Sequence, residues 1–319
     1  MSTLPPFRLH PKFESRTWGR PDLSPWYPAT AQQGDAAADP IGEAWLTGPA
    51  SVANDGPYAG MTLGDIATQH TAELLGTSTA EAEFPLLVKL LFPDAKLSVQ
   101  VHPNDEEAAA MNIGRGKTEC WYVLEATPGA TVACGLKPGV AVADLRAAIA
   151  DGTAEDLLEH LPVTKGDMVF VDAGTVHAIG PGVTILEVQQ TSDTTYRLYD
   201  YDRPRELHLE KGLAVSKTDT RAGKIAPKPI EVGGCPGTRL IEEQYFTVDS
   251  FNLQAGDTID LNDVPAEPYC LMALYGDAEV VSADARVQMP AGTSVIVPAG
   301  TAAVTVKAAS AMELVRATP

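Results

Sequence analysis

Cysteine pairs, basic residues and long apolar runs are all scarce in this chain, and each scarcity removes a class of function. The four cysteines, Cys120, Cys134, Cys235 and Cys270, lie far apart and form no C-x-x-C pair. That spacing disfavours thiolate zinc cages and redox pairs, so reduced core thiols are the expected state. Lys and Arg number 23 against 42 Asp and Glu, giving a formal net charge of −19. Nucleic acid and anionic membrane both require a cationic footprint, so neither is an expected partner. An anionic ligand has a place here only where a few Lys and Arg are concentrated locally. No apolar run approaches the roughly 20 residues that span a bilayer. The opening MSTLPPFRLHPKFESRTWG contains no hydrophobic segment of the signal-peptide kind. Both absences lead to the expectation of a cytoplasmic protein.

What is present is ordinary globular material. The 319 residues are 45% hydrophobic and 20% charged, enough for about two domains with sizeable cores. Short apolar runs punctuated by Gly, Pro and Asp dominate: FPLLVKLLF (84–92), KLSVQVH (96–102), CWYVLEA (120–126), DMVFVD (167–172), TILEVQQ (184–190) and TTYRLYDY (194–201). Their length and frequency predict a mainly β fold of antiparallel sheets closed into a sandwich or barrel. Helical signals are few. NDEEAAAM (104–111) is capped at Asn104 with acidic residues in its first turn. The stretch 141–161 predicts two short helices broken at Asp151-Gly152, and 208–216 a further one. The Pro- and Gly-rich segment 221–238 has no periodic pattern and is the expected linker between residues 1–220 and a β domain at 239–319.

An internal repeat supports that division. Residues 165–189 resemble 289–317, and aligning Ala173-Gly174-Thr175 with Ala299-Gly300-Thr301 puts His177 opposite Ala303 and Glu187 opposite Glu313. The second unit lacks the histidine, so the fold itself does not demand one. Alternation in LSVQVH places Leu97, Val99 and Val101 on one strand face and Ser98, Gln100 and His102 on the other. In KTECWYV, Lys117 and Glu119 share a face with Trp121. Burying such a polar face without partners costs a few kcal/mol per group. Gln100, His102, Glu119 and His177 together offer two imidazoles, a carboxylate and an amide oxygen, a donor set suited to a borderline divalent ion such as zinc with a position left open. His10, His70, His160 and His208 fall in loops or helix faces and read as structural or solvated.

The motifs FPLLVKLL, LSVQVHPND, GKTECWYV and GTVHAIGPGVTILEVQQTSDTTYRLYDYDR, with the earlier IGEAW (41–45), resemble in order over most of the chain the type I mannose-6-phosphate isomerases of the short bacterial form, members of the cupin superfamily. The resemblance implies two cupin-like antiparallel jelly-roll or β-barrel units, a metal-binding catalytic one (1–220, with a reduced helical insertion near 141–161) and a degenerate one (239–319) without metal. It implies one zinc ion held by Gln100, His102, Glu119 and His177. It also implies a sugar-phosphate pocket with Lys89, Ser98, Lys117 and Arg197, lined as well by Glu187 and Asp193. The sequence departs from the family at Arg20, where a second glycine is frequent, and after His177, where Ala-Ile-Gly lacks an aromatic. Neither composition nor motif separates a monomer from a dimer.

The implied reaction moves a proton between carbon 2 and carbon 1 of an open-chain sugar through an enediol. Glu187 is the favoured proton-transfer base and Lys117 the weaker candidate; Arg197 is placed beside either the enediolate or the phosphate. Lys89, on the Leu87–Leu91 face of an apolar strand, makes a phosphate contact with Ser98. Other readings stand beside these. Glu187 is structural if Glu313 truly occupies its place in the second unit, Arg197 has Asp200 and Asp202 as surface partners, and Lys89 has a route to solvent past the strand edge. A non-catalytic metal cupin that binds or senses sugar phosphates is the alternative function, and metal-dependent oxygenation is a third.

Overall fold

The computed structural model describes residues 4–28, 40–76, 82–262 and 267–319. Four antiparallel sheets form two barrels. In the first barrel a seven-stranded sheet runs in the order β13 (Gly223–Ile225), β9 (Met168–Val171), β6 (Glu119–Ala126), β11 (Val183–Gln190), β4 (Leu86–Leu91), β3 (Ile41–Trp45) and β2 (Lys12–Arg20). It faces a five-stranded sheet ordered β12 (Tyr196–Tyr199), β5 (Val99–Val101), β10 (His177–Ile179), β7 (Thr131–Leu136) and β8 (Leu158–Pro162). The second barrel repeats the plan. Its seven strands run β1 (Phe7–Leu9), β21 (Thr293–Val297), β18 (Tyr269–Tyr275), β23 (Met312–Thr318), β16 (Phe246–Leu253), β15 (Cys235–Glu243) and β14 (Lys228–Val232). Its four-stranded sheet runs β17 (Thr258–Asp260), β22 (Thr305–Ala308), β19 (Ala278–Val281) and β20 (Arg286–Met289). The mainly β, two-barrel expectation holds.

Strand alternation sorts the apolar residues into separate cores. Leu91, Trp121, Val123 and Ile185 fill the first barrel, and Phe251, Leu271, Val306 and Leu314 fill the second. The outward faces of the two large sheets, with Val88, Cys120 and Leu186 against Val248, Cys270 and Val315, pack on each other in a third core. At roughly 1.5–3 kcal/mol per fully buried aliphatic side chain, that shared layer binds the barrels into one body. The opposite face of β5, carrying Val99 and Val101, is covered by α4 (Val142–Ala150) and α5 (Leu209–Val215). The described residues form three further short helices, α1 (Leu63–Gln69), α2 (Thr71–Leu75) and α3 (Asp105–Ala110), the last closed by a reciprocal Asn104–Glu107 capping box. No helix among the described residues is long and apolar enough to cross a membrane.

Three local expectations differ from the structure. Within 221–238 the chain forms β13 at the edge of one large sheet and then β14 at the edge of the other. The proline at 229 is tolerated because an outermost strand leaves one row of N–H groups unpaired. Pro/Gly content there marks sheet edges, and the crossing itself is confined to residues 226–227. Conversely, β1 from the N-terminus pairs with β21 in the second barrel, Phe7 opposite Ile296. In 141–161 only the first helix forms; after a 3-10 turn at Ala154–Leu157 the chain becomes β8, an edge strand paired with β7. LEHLP supplies too few apolar positions for a helix face but enough for one strand.

Two glycines set the approach of β2 to β3. A Cβ on Gly19 would meet the Ile41 carbonyl oxygen, and one on Gly42 would lie 2.5 Å from Arg16 Cβ and 2.8 Å from the Trp18 ring. Gly42→Ala should cost roughly 1–3 kcal/mol by overpacking, read as a lowered Tm in thermal unfolding. An unchanged Tm would mean that these strands part without penalty.

Candidate active site

The polar face of the β5 segment turns into the first barrel, as alternation requires. Gln100 pairs with His177 of β10 on one side and with Arg197 of β12 on the other, giving a cross-strand row Arg197–Gln100–His177. On the facing sheet the row is Trp121–Glu187–Lys89–Trp45, set by the pairing of β6, β11, β4 and β3. Between the rows, His102, Glu119 and His177 converge, their ligand atoms all within 4.8 Å of one another.

The protonation pattern explains what this cluster suits. His102 Nδ1 donates to the Thr194 carbonyl at 2.8 Å and His177 Nδ1 to the Thr175 carbonyl at 2.9 Å. Carbonyls only accept, so both tautomers are fixed with lone pairs on Nε2. Burial holds both rings neutral. It pushes His102 well below its ordinary range, helped by the Lys117 charge, and brings His177 down to about 4. Those two lone pairs aim at the Glu119 carboxylate, His102 Nε2 at 3.6 Å from Oε2 and His177 Nε2 at 3.5 Å from Oε1. Lys117 Nζ and the Gln100 amide now stand against these lone pairs, at 3.1 and 3.2 Å, while the buried Glu119 Oε2 accepts no hydrogen bond. A divalent cation between the three groups would be shared by both imidazoles and the carboxylate. The Nδ1–H to carbonyl bonds are also those that orient metal-ligating imidazoles. The donor set therefore fits a borderline divalent ion. Gln100 presents Nε2 to His177 Nε2 at 3.2 Å, while its Oε1 accepts from Ser98 at 3.4 Å. A half-turn of the amide brings the oxygen inward.

Lys117 reaches the edge of the cluster, 2.8 Å from Glu119 Oε2 and 3.1 Å from His102 Nε2. Burial alone would lower its pKa, but the Glu119 and Glu187 charges outweigh burial and raise it, so it remains a cation. A cavity of about 460 Å³ opens beside the cluster, and Lys89, Ser98, Gln100, Lys117, Glu187, Asp193 and Arg197 all line it. Lys89 and Glu187 form an ion pair at 3.3 Å with both side chains only 5% exposed. Lys89 does not escape to solvent; its ammonium sits 4.9 Å above the Trp45 ring. Trp121 Nε1 donates to Glu187 Oε2 at 3.2 Å and to Glu119 Oε1 at 3.1 Å, linking its own row to the cluster. Burial and then the Glu119 charge raise the Glu187 pKa, while Lys117 and Lys89 oppose them.

Asp200 is taken by Arg203 and Arg205, at 2.7 and 2.6 Å, and not by Arg197. The Arg197 guanidinium donates to the Glu206 carbonyl at 2.8 Å and its buried Nε has no hydrogen-bond partner, while its backbone N–H donates to His208 Nδ1 at 3.2 Å. Arg16, Trp18, Glu43 and Arg205 also line the cavity, and the sequence did not single them out as site residues. Glu43 had a signal, since it sits in IGEAW; it accepts from Trp45 Nε1 at 2.7 Å and Arg16 Nε at 2.9 Å.

The second barrel serves as an internal comparison, with a corrected register. β10 ends four residues before β11 begins, and β22 four residues before β23. Matching these ladders puts Val306 opposite His177 and Arg316 opposite Glu187, three residues beyond the ungapped alignment with Ala303 and Glu313. Extra residues in the loop after Gly300 cause the offset. An odd shift also flips the face. Glu313 points out of its barrel, bonded to Tyr122 at 2.7 Å and Ser250 at 3.1 Å, so it offers no precedent for a structural Glu187. On the same register Gln100, His102, Glu119 and His177 correspond to Ile259, Leu261, Tyr269 and Val306, all packed in the second core.

Comparison with known proteins follows the same lines. The family model described as phosphomannose isomerase type I, catalytic domain, matches residues 6–126. Mannose-6-phosphate isomerase ManA of Bacillus subtilis is 35% identical over 295 residues, covering 88% of this chain and 89% of that protein. Mannose-6-phosphate isomerase of Streptococcus mutans is 37% identical over 250 residues, covering 75% and 77%. Among solved structures, the mannose 6-phosphate isomerase from Bacillus subtilis superposes with a TM-score of 0.85 at 28% identity, over 98% of this chain and 99% of that one. A mutant phosphomannose isomerase from Salmonella typhimurium gives 0.75 at 17% identity over 99% of both chains, a likeness of fold alone.

Proposed function

The chain belongs to the type I phosphomannose isomerases, and from that membership we propose that it interconverts mannose 6-phosphate and fructose 6-phosphate with one zinc ion per chain, through an enediolate. The observation that carries this reading is a buried cluster of two neutral imidazoles aimed at a carboxylate, set beside a cavity lined by the Lys89–Glu187 pair. His102, Glu119 and His177 would hold the ion, with Gln100 as fourth donor after its amide turns. Zinc, when bound, supplies Lewis acidity towards a substrate oxygen.

The remaining chemistry falls to side chains. Glu187 takes the proton from carbon 2 and returns it at carbon 1; its raised pKa makes it a better match to a neutral operating pH than an ordinary carboxylate. Lys117 stays protonated and donates to developing negative charge. Lys89 fixes Glu187 in place and neutralises it when it ionises. Arg197, with no carboxylate of its own, answers the substrate's charge; Ser98 and Asp193 contact its hydroxyls. Local cations thus receive a dianion on a chain of net charge −19. A binder without turnover would lack a proton mover, and Glu187 argues against that alternative.

The test is a coupled assay for fructose 6-phosphate formed from mannose 6-phosphate, before and after chelation. Activity should vanish on thorough metal removal and return with added zinc. Turnover indifferent to chelation would sink the metal-dependent mechanism.

A further inference from the structure

Around the outer end of the cavity, two guanidiniums share one carboxylate and a third stands without one. Asp200, with its side chain 2% exposed, receives a two-pronged contact from Arg205, Nε to Oδ2 and Nη2 to Oδ1, both at 2.6 Å. Arg203 Nη2 makes an ion-pair contact with the same carboxylate, 2.7 Å from Oδ1 without a hydrogen bond, and its Nε donates to the Asp200 carbonyl at 3.1 Å. The turn that folds both arginines back carries consecutive positive φ values at Tyr201 (54°) and Asp202 (61°). Arg197 stands beside them with its Nε buried and unpartnered. Burial and then the positive charge of Arg205 lower the Arg197 pKa, with Asp200 and Glu206 opposing them.

We propose that Arg205 is a phosphate-binding residue of this pocket, acting with Arg197, and that Asp200 keeps its place until the phosphoryl group arrives. This rests on the sugar-phosphate reading above and deepens it. The fork that Arg205 presents to two carboxylate oxygens fits two phosphoryl oxygens equally well. A dianion offers it more charge than Asp200 does. Its departure does not strand Asp200, because Arg203 remains on the same oxygen. Arg205 lines the cavity, whereas Arg203 does not, so only one of the two is placed to leave. Position agrees: Arg197 lies one strand beyond Gln100, which itself adjoins His177. Carbons 1 and 2 near Glu187 then leave the phosphate end of the sugar at the arginine corner. Lys89 and Lys117, each already paired with a carboxylate, stay with the reacting carbons.

Two substitutions with opposite expected signs test this on metal-loaded protein, using calorimetric titration of inorganic phosphate and steady-state kinetics with mannose 6-phosphate. Arg205→Met should weaken phosphate binding about tenfold or more, the scale of one charge-assisted fork. It should raise KM by a similar factor with little change in kcat. Asp200→Asn, which removes the competing charge, should tighten phosphate binding. If Arg205→Met fails to fold, the Asp200→Asn titration still decides. The proposal is overturned if Arg205→Met binds phosphate as the unaltered protein does, which includes phosphate held at the metal donors instead. It is equally overturned if Asp200→Asn weakens binding, the result expected of a merely structural turn. Absence of turnover in the unaltered protein would reject the isomerase reading while leaving the phosphate titration interpretable.

Discussion

Glu187→Gln should lower kcat by roughly 10²–10⁴-fold, the usual worth of a positioned acid–base group, with metal content unchanged. The substitution keeps the shape and the acceptor for Trp121 Nε1, now 3.2 Å from Glu187 Oε2. It removes the group that moves the proton and leaves Lys89 without its ion-pair partner at 3.3 Å. Glu43 still faces Lys89 electrostatically, so the ammonium is not left wholly uncompensated. A pH profile separates loss of chemistry from loss of structure. Burial and the Glu119 charge hold the Glu187 pKa above the ordinary carboxylate range. The base is ionised only above that raised value, so activity of the unaltered protein should fall as pH drops through it, and the residual rate of the variant should lack this limb. Lys117, the weaker candidate base, is raised by Glu119 and Glu187 and stays protonated near neutrality. A Glu187→Gln rate within tenfold of the unaltered protein, with the acid limb intact, would remove Glu187 from the chemistry.

The site was legible wherever two rules of strand geometry met. Alternation alone put Ser98, Gln100 and His102 on one face, and the structure turns that face inward, with Val99 and Val101 against the helices; Leu97, expected beside those valines, precedes β5 and packs inside the barrel instead. Lys89 and Glu187 stand out in the sequence as single charges within apolar runs, and they prove to be cross-strand neighbours. The repeat was legible, but its register was not. An identity match at Glu313 outweighed the period of two, and only the ladder shows that Arg316 stands in the place of Glu187. In the second barrel the matching pair is Arg316 with Asp249, at 2.8 Å, the same salt bridge with its charges exchanged. That exchange keeps the burial problem solved while removing the carboxylate from the position where chemistry would need it.

What stayed hidden has a common cause. Arg16 lies on an edge strand and Arg205 in a turn, where neighbours in sequence say little about neighbours in space. Each is oriented by a carboxylate far outside its own pattern or by an unusual turn: Glu43 for Arg16, and the doubled-back Asp200 for Arg205. The linker reading failed for a related reason, since Pro and Gly mark the edge of a sheet as readily as a break between sheets. Helices α1 and α2 were missed because they are only seven and five residues long, stabilised by the Leu63, Ile66 and Leu74 contacts with the shared core and not by a long periodic face.

His177→Ala should abolish stable metal retention while leaving the barrel folded. Removing a hydrogen-bond partner of a metal-bound histidine typically costs 10–100-fold in metal affinity, so removing the ligand itself should cost more than about 100-fold. The fold tolerates the loss because the corresponding site in the second barrel is Val306, fully buried in an apolar core. His177→Val is therefore the companion variant, matched to a side chain this architecture already accommodates. Deleting the ring leaves Cys134 beside an emptied position and withdraws the lone pair that faces Glu119 Oε1 at 3.5 Å. The remaining donors, His102 and Glu119, still have Lys117 against them at 3.1 and 2.8 Å, which favours an ammonium-filled site over a metal-filled one. Elemental analysis after dialysis against a chelator, with a thermal melt of the same samples, gives the readout. A variant that stays folded but metal-free is the expected result. A His177→Val protein that retains one tightly bound metal ion per chain would show that the three buried donors are not the centre on which this pocket is built.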